Sequence, residues 1–213
     1  MKNKTKNTFN EREVFNYCVS FVDLLGQGLV LKDQNLLPKK ESRDEWKKVY
    51  TTIRESLYPI FTLQHQSEDF LQCIKNPNPL HSFRKTLAED LQISWDEANI
   101  TDIKTHRWSD GLMLFACLNK SKTKCYINGV HGLFLSTGLL CLRGLATGHP
   151  IRGGIECAWG VELEPNELYG PAVARAYDLE YNQAKHSRII VGPNTIEILK
   201  IHQSLQLLHM ALF

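Results

Sequence analysis

Two carboxylates and a glycine-containing turn are the residues of this chain best suited to chemistry. Asp23 interrupts the apolar run FVDLLGQG at residues 21–28, and Asp110 stands in RWSDGLML at residues 107–114. An ionised carboxylate in a buried strand is costly unless a cation or a set of hydrogen bonds compensates it. Two carboxylates converging within a few ångströms repel each other unless a divalent cation lies between them. Hard cations such as Mg²⁺ and Mn²⁺ take oxygen ligands, commonly one or two carboxylates plus phosphate oxygens of a substrate. Gly26 and Gly28 permit a sharp turn after Asp23 whose free N–H groups suit a polyphosphate. The plainer alternatives are an aspartate capping the turn after a strand and an Asp-Gly hairpin turn. The pair, together with the glycine turn, favours a metal–nucleotide site.

These residues need elements to hold them. Val14, Phe15, Tyr17, Cys18, Val19, Phe21 and Val22 are β-branched, aromatic or small and apolar, which predicts a strand ending at Asp23. Ser42 followed by Glu45 reads as a helix start, and Trp46, Val49, Tyr50, Ile53, Leu57 and Phe61 continue at helical spacing. Further helical stretches are expected at Glu68–Ile74, where NPNP (76–79) ends the pattern, and at Phe83–Leu91. Strand-like runs on both sides of Ser109-Asp110-Gly111 predict a hairpin turning at Asp-Gly. Lys124–Gly148 reads as a buried helix, IRGGIECAWGVEL (151–163) as a strand, AVARAYDLEYNQA (172–184) as a helix, SRIIVG (187–192) as a strand and NTIEILKIHQSLQLL (194–208) as a last helix. The expected class is α/β (α+β): one domain over residues 13–213, preceded by a solvated tail at residues 1–12.

Bulk properties narrow the function classes. The chain has 213 residues, a net charge of +2, 43% hydrophobic and 23% charged residues, ordinary for a globular domain and giving no case for a nucleic-acid surface. No uninterrupted apolar run reaches about 18 residues, so no membrane span is expected. The six cysteines (18, 73, 117, 125, 141, 157) form no CxxC pair or zinc spacing. With no apolar signal segment, this points to a reduced, cytoplasmic protein. Histidines 65, 81, 131, 149, 186, 202 and 209 have no metal-ligand spacing, and neither a serine or cysteine nucleophile nor a Walker loop is present.

FVDLLG followed downstream by SDGLMLF resembles the two metal-aspartate motifs of class III nucleotide cyclases. RGGIECAWGVELEPNELYGPAVARAYDLE with AKHSRIIV after it resembles, more narrowly, the bacterial Pycsar-type cyclases of anti-phage defence, which make cyclic CMP or cyclic UMP. The resemblance runs from about Val14 to Val191. It implies a ferredoxin-like nucleotide cyclase domain with a mostly antiparallel sheet and flanking helices. It also implies a homodimer with composite sites, two Mn²⁺ or Mg²⁺ ions, a UTP or CTP substrate and a separate effector protein activated by the product. Asp23 and Asp110 would hold the ions, with the Leu24 carbonyl as a further ligand, and Leu25, Gly26, Gln27 and Gly28 would take the β- and γ-phosphates. Adenylate and guanylate cyclases place an Asn and an Arg where this chain has Ala174 and Asp178. Arg188, Arg175 and Arg152 are the arginines available in their place; Arg188, at a strand end beside a helix, is the preferred one, and a plain surface charge is its alternative. His106 and Glu167 stand at the base-reading positions and do not reproduce adenine recognition. Arg107 can donate to pyrimidine carbonyls, and Tyr50 or Trp46 can stack on or wall off a small base, core packing being the alternative for those two. Because alternate strand residues face opposite sides, only one of His106 and Arg107 can serve, and Arg107 is the expectation. A catalytically inactive nucleotide-binding or dimerisation module and a metal-dependent phosphohydrolase are the rival readings.

Overall fold

The computed structural model describes residues 13–26, 36–75, 85–89, 91–92, 102–119 and 127–211. The elements run β1 (Phe15–Leu24), α1 (Arg43–Lys75), β2 (Ile103–Trp108), β3 (Gly111–Cys117), α2 (Ile127–Ala146), β4 (Ile151–Glu164), β5 (Glu167–Tyr169), α3 (Pro171–Asp178), a π-helical turn (Leu179–Gln183), β6 (Ile189–Val191) and α4 (Pro193–Ala211). The sheet order is β2-β3-β1-β4-β5, with β6 also on β4. β1 pairs antiparallel with both β3 and β4, and β2 pairs antiparallel with β3. The succession βαββαβ with this strand order is the ferredoxin-like arrangement, as expected. Among the described residues, only the β4–β6 pairing is parallel.

The central strand separates two unlike layers. Cys18, Val22 and Leu24 of β1 join Leu112, Leu114 and Ala116 of β3, Ile151, Ile155 and Cys157 of β4, and Val130, Leu133 and Leu140 of α2 in one dry cluster. Ser20 lies on this side too, its hydroxyl satisfied by Thr137 of α2 at 2.7 Å. α2 is long and apolar enough to cross a membrane, yet it lies along the sheet with Val130, Leu133 and Leu140 fully buried. On the opposite side, Tyr17, Val19, Phe21, Met113 and Phe115 pack under Leu168 of β5 and Ala172 and Ala176 of α3.

Several expectations need correction. The two expected helices at 42–61 and 68–74 are one continuous α1 that accommodates Pro59. Its core contacts are Ile60, Leu63 and Leu71, whereas Tyr50, Ile53, Leu57 and Phe61 are exposed. At 1.5 Å per residue, 33 residues span about 50 Å, more than the ten-residue β1 can cover at about 33 Å, so the N-terminal half overhangs the sheet. The hairpin is present, but its turn is Ser109-Asp110: Trp108 pairs with Gly111, which already belongs to β3. Ser109, not Gly111, takes the positive φ of 54°. Gly111 answers a different demand, since a Cβ there would lie 3.0 Å from the Val22 carbonyl oxygen and 3.3 Å from the Phe21 ring. β5 is an addition to the expected order. The tail at 1–12 lies outside the described residues; of the expected helix at 83–91, residues 85–89 and 91 are described and include helical turns, with Gln92 donating its N–H to the Ala88 carbonyl at 2.9 Å. Cys18, Cys117, Cys141 and Cys157 form no disulfide.

Candidate active site at the β1 terminus

One row of paired residues crosses four strands at the end of the sheet. Trp108 of β2 pairs with Gly111 of β3, Gly111 with Asp23 of β1, and Asp23 with Arg152 of β4. Paired residues share a face, so Trp108, Asp23 and Arg152 project to the α3 side, with an open notch where Gly111 has no side chain. Asp110 occupies the turn just before this row. The two aspartates therefore do come together: the Asp23 carboxyl is raised above its ordinary value by burial and then by the Asp110 charge, opposed by Arg152 and by the Leu24 N–H it accepts.

Arg152 sits between two acids. Its Nη2 donates to Asp23 Oδ2 at 3.3 Å, and its Nε approaches Glu180 Oε1 to 2.6 Å. Glu180 is 1% exposed, and its carboxyl is raised to about 7 by burial, with Asp23 and Asp110 adding to the rise and Arg152 and Lys185 opposing it. The Arg152–Glu180 contact is close but not aligned as a hydrogen bond. Glu180 arrives there through the π-helical turn that follows α3, the kind of bulge that often marks functional sites. A Cβ at Gly154 would strike the Ala176 carbonyl and lie 2.6 Å from Leu179 Cβ, so the bare backbone of β4 is what lets this segment settle onto the sheet two residues from Arg152. Glu180 has no role in the sequence reading. Its signal was a carboxylate continuing the spacing of Ala172 and Ala176, both fully buried.

The Asp110 charge raises both Asp23 and Glu180, and Asp23 raises Glu180, so beside one close guanidinium negative charge is in surplus. Among the described residues no three His, Cys, Asp or Glu side chains form a metal cluster. The donor set is instead two hard oxygen ligands, Asp23 and Asp110, at an acidic end of the sheet. That set fits Mg²⁺ or Mn²⁺ whose other positions are completed by water and phosphate oxygens.

The remaining expected site residues divide by position. Leu24 follows Asp23, its side chain buried on the opposite face and its N–H given to the Asp23 carboxylate. Leu25 donates its N–H to the Pro150 carbonyl at 3.0 Å, and Gly26 takes a φ of 92°, so the chain does turn there. Gln27 and Gly28 lie outside the described residues. Arg107 corrects the base-reading expectation: it pairs with Leu112, faces the helical layer, and its guanidinium lies 5.7 Å over the Phe61 ring of α1. His106 pairs with Met113 and so shares the face of Asp23. Tyr50 is 64% exposed on α1, tilted against Trp46, in a surface groove that also includes Lys40, Arg43, Lys47, Thr51 and Arg54. It is therefore not core packing. Arg188 donates to the Gln183 carbonyl at the end of the π-helical turn, so Arg152 is the arginine at the aspartate. Ala174 and Asp178 lie on the exposed side of α3, and Asp178 accepts from Asn182 at 2.6 Å. Glu167 pairs with Glu164, twelve residues along β4 from Arg152, or about 40 Å at 3.3 Å per residue.

No protein-family model matches the chain, and no curated protein matches it. Among solved structures, the adenylyl cyclase CyaB from P. aeruginosa is similar with a TM-score of 0.49 and 14% sequence identity, over 89% of this chain and 83% of that chain.

Proposed function

We propose that this protein is a metal-dependent nucleotide cyclase that converts UTP or CTP to cyclic UMP or cyclic CMP and pyrophosphate. The observation that carries this reading is the meeting of Asp23 and Asp110 at one end of the sheet, beside a turn, with negative charge in excess. Asp23 and Asp110 would hold two Mn²⁺ or Mg²⁺ ions, which would supply activation of the attacking 3′-hydroxyl and charge neutralisation at the leaving pyrophosphate. The turn at Gly26 positions the phosphates, the Leu25 N–H being taken by the Pro150 carbonyl. Arg152, in place of Arg188, is the guanidinium beside the metal-holding Asp23. His106 and Trp108, on the face of Asp23, take over from Arg107 as the side chains that meet the base. The pyrimidine preference rests on the sequence resemblance and on His106 and Glu167 at positions where adenine readers stand.

Glu167 and Asp23 lie too far apart along β4 to serve one nucleotide within one chain. Their joint use calls for a homodimer with composite sites. By the same resemblance, the cyclic product acts as a cytoplasmic second messenger in anti-phage defence, on a separate effector protein. The specific rival is a non-catalytic nucleotide-binding module, favoured by the outward position of Ala174 and Asp178 and by Arg188 being tied to Gln183. Incubation with each of the four NTPs and Mn²⁺, followed by product identification, decides. A cyclic pyrimidine nucleotide with equimolar pyrophosphate is expected. Strong ATP turnover would overturn the base preference, linear NMP would indicate a phosphohydrolase, and no turnover of any NTP would leave the binding module.

A further inference from the structure

The two contacts of Arg152 are unequal, and that inequality has a consequence for metal binding. Charge-assisted N–H···O contacts usually lie near 2.7–2.9 Å. The contact to Asp23 at 3.3 Å is longer than this, and the one to Glu180 at 2.6 Å is tight but unaligned. The side chain of Arg152 is 20% exposed, that of Glu180 only 2%, so the acid is fixed and the guanidinium has room to turn. A small rotation would align Nε and a terminal nitrogen on the Glu180 carboxylate and leave Asp23 free. We propose that Arg152 is a movable counter-ion: it shares itself between Asp23 and Glu180 in the metal-free chain and withdraws onto Glu180 when Asp23 engages a divalent cation. Glu180 is then a positioning residue that acts through Arg152 and never touches the cation.

The physical argument is one of charge. A carboxylate paired to a guanidinium is a poorer ligand for a cation, because the arginine must be displaced before its oxygens are available. Without Glu180 the displaced guanidinium would stay beside the cation, at a Coulombic cost. With Glu180 it has a buried partner, and the three carboxylates then balance the guanidinium and a divalent cation together. Gly154, by admitting the π-helical turn against β4, keeps that partner within reach.

This inference rests on the metal reading of Asp23, and its test separates the two. Mn²⁺ binding is measured without nucleotide, from the loss of the aqueous Mn²⁺ electron paramagnetic resonance signal, with the melting temperature of each variant recorded. Arg152→Gln, which removes the competing cation, should tighten Mn²⁺ binding about threefold, and Glu180→Gln should weaken it about threefold, on the scale of a partly exposed ion pair. In Arg152→Gln/Glu180→Gln the Glu180 effect should vanish, because it acts only through the arginine; simple additivity, the result for long-range charge alone, would overturn the proposal. Arg152→Lys retains the charge but cannot span both carboxylates. It should stay on Glu180 and bind Mn²⁺ more tightly than the parental chain, and an unchanged or weaker affinity would count against the proposal even if Glu180→Gln did not fold. If Asp23→Asn bound Mn²⁺ as the parental chain does, the metal reading itself would fail, and this proposal with it.

Discussion

Along β1, the residues Cys18, Val22 and Leu24 disappear under the helical layer, while Tyr17, Val19 and Phe21 on the other side lead to Asp23, Arg152 and Glu180. The helical side is closed by long helices, with α1, α2 and Ile198 and Leu199 of α4 packed on its cluster, and it includes the Ser20–Thr137 hydroxyl pair. The other side is covered by short elements, and its rim exposes Trp108, Tyr177 and Tyr181. One face is given to stability, and the other tolerates unfavourable charge at its end. A domain that stored excess negative charge on both faces would have little to hold it together, so the segregation is itself informative.

Substitutions at the charged end should break function while sparing the fold. Asp23→Asn or Asp110→Asn should each reduce cyclase turnover by at least about 100-fold, or roughly 3 kcal/mol of transition-state stabilisation. The metal-free melting temperature should hold or rise, because a like-charge repulsion is relieved. Activity near the parental level in both variants, measured as pyrophosphate release, would remove the metal assignment. On the opposite face the pattern should invert: Leu114→Ala opens a cavity in the dry cluster and should cost about 2–5 kcal/mol in denaturant unfolding. Turnover per folded molecule at low temperature should stay near parental.

The pH dependence sharpens the contrast further. The folded chain raises Glu180 to about 7 and Asp23 above its ordinary value. A carboxyl raised in the folded state binds its proton more tightly there than in the unfolded chain. Its contribution to stability is thus complete below the unfolded value and lost as pH rises through the folded one. In chelator, the melting temperature should therefore fall between about pH 5 and about pH 8, and Glu180→Gln should flatten that fall. A rising profile over this range would contradict the charge arrangement. The smallest effect is expected at Arg107, which faces the helical layer. Arg107→Ala should lose only its contact with Phe61, about 0.5–1 kcal/mol of stability. The ranking of the four NTPs by kcat/KM should be unchanged, whereas His106→Ala should alter it.

Local chemistry was legible where one residue type had one plausible partner pattern. The β-branched and aromatic run before Asp23 gave a strand, and the apolar stretch before His149-Pro150 gave α2. Period and turn signals also placed the hairpin, missing its turn by one residue because Gly111 is needed for close strand approach, a demand that comes from β1 and not from the turn itself. The stripe of Trp46, Tyr50, Ile53, Leu57 and Phe61 was correctly helical, yet Tyr50, Ile53, Leu57 and Phe61 are exposed. Periodicity reports that a helix has an apolar face and says nothing about how much sheet lies beneath it.

The sequence by itself determined most of the succession of strands and helices and marked out the two aspartates, because helix and strand periods, turn residues and isolated carboxylates are written in nearest neighbours along the chain; the ferredoxin-like arrangement was implied by the resemblance. Tertiary structure alone decided which arginine meets Asp23 and that Glu180 joins it. Arg152 and Glu180 are 129 and 157 residues from Asp23 along the chain, and only strand register and the glycine-admitted approach of the π-helical turn bring them together. A contact's energy depends on separation and burial in space, and those are properties of the packed sheet rather than of any local stretch of sequence.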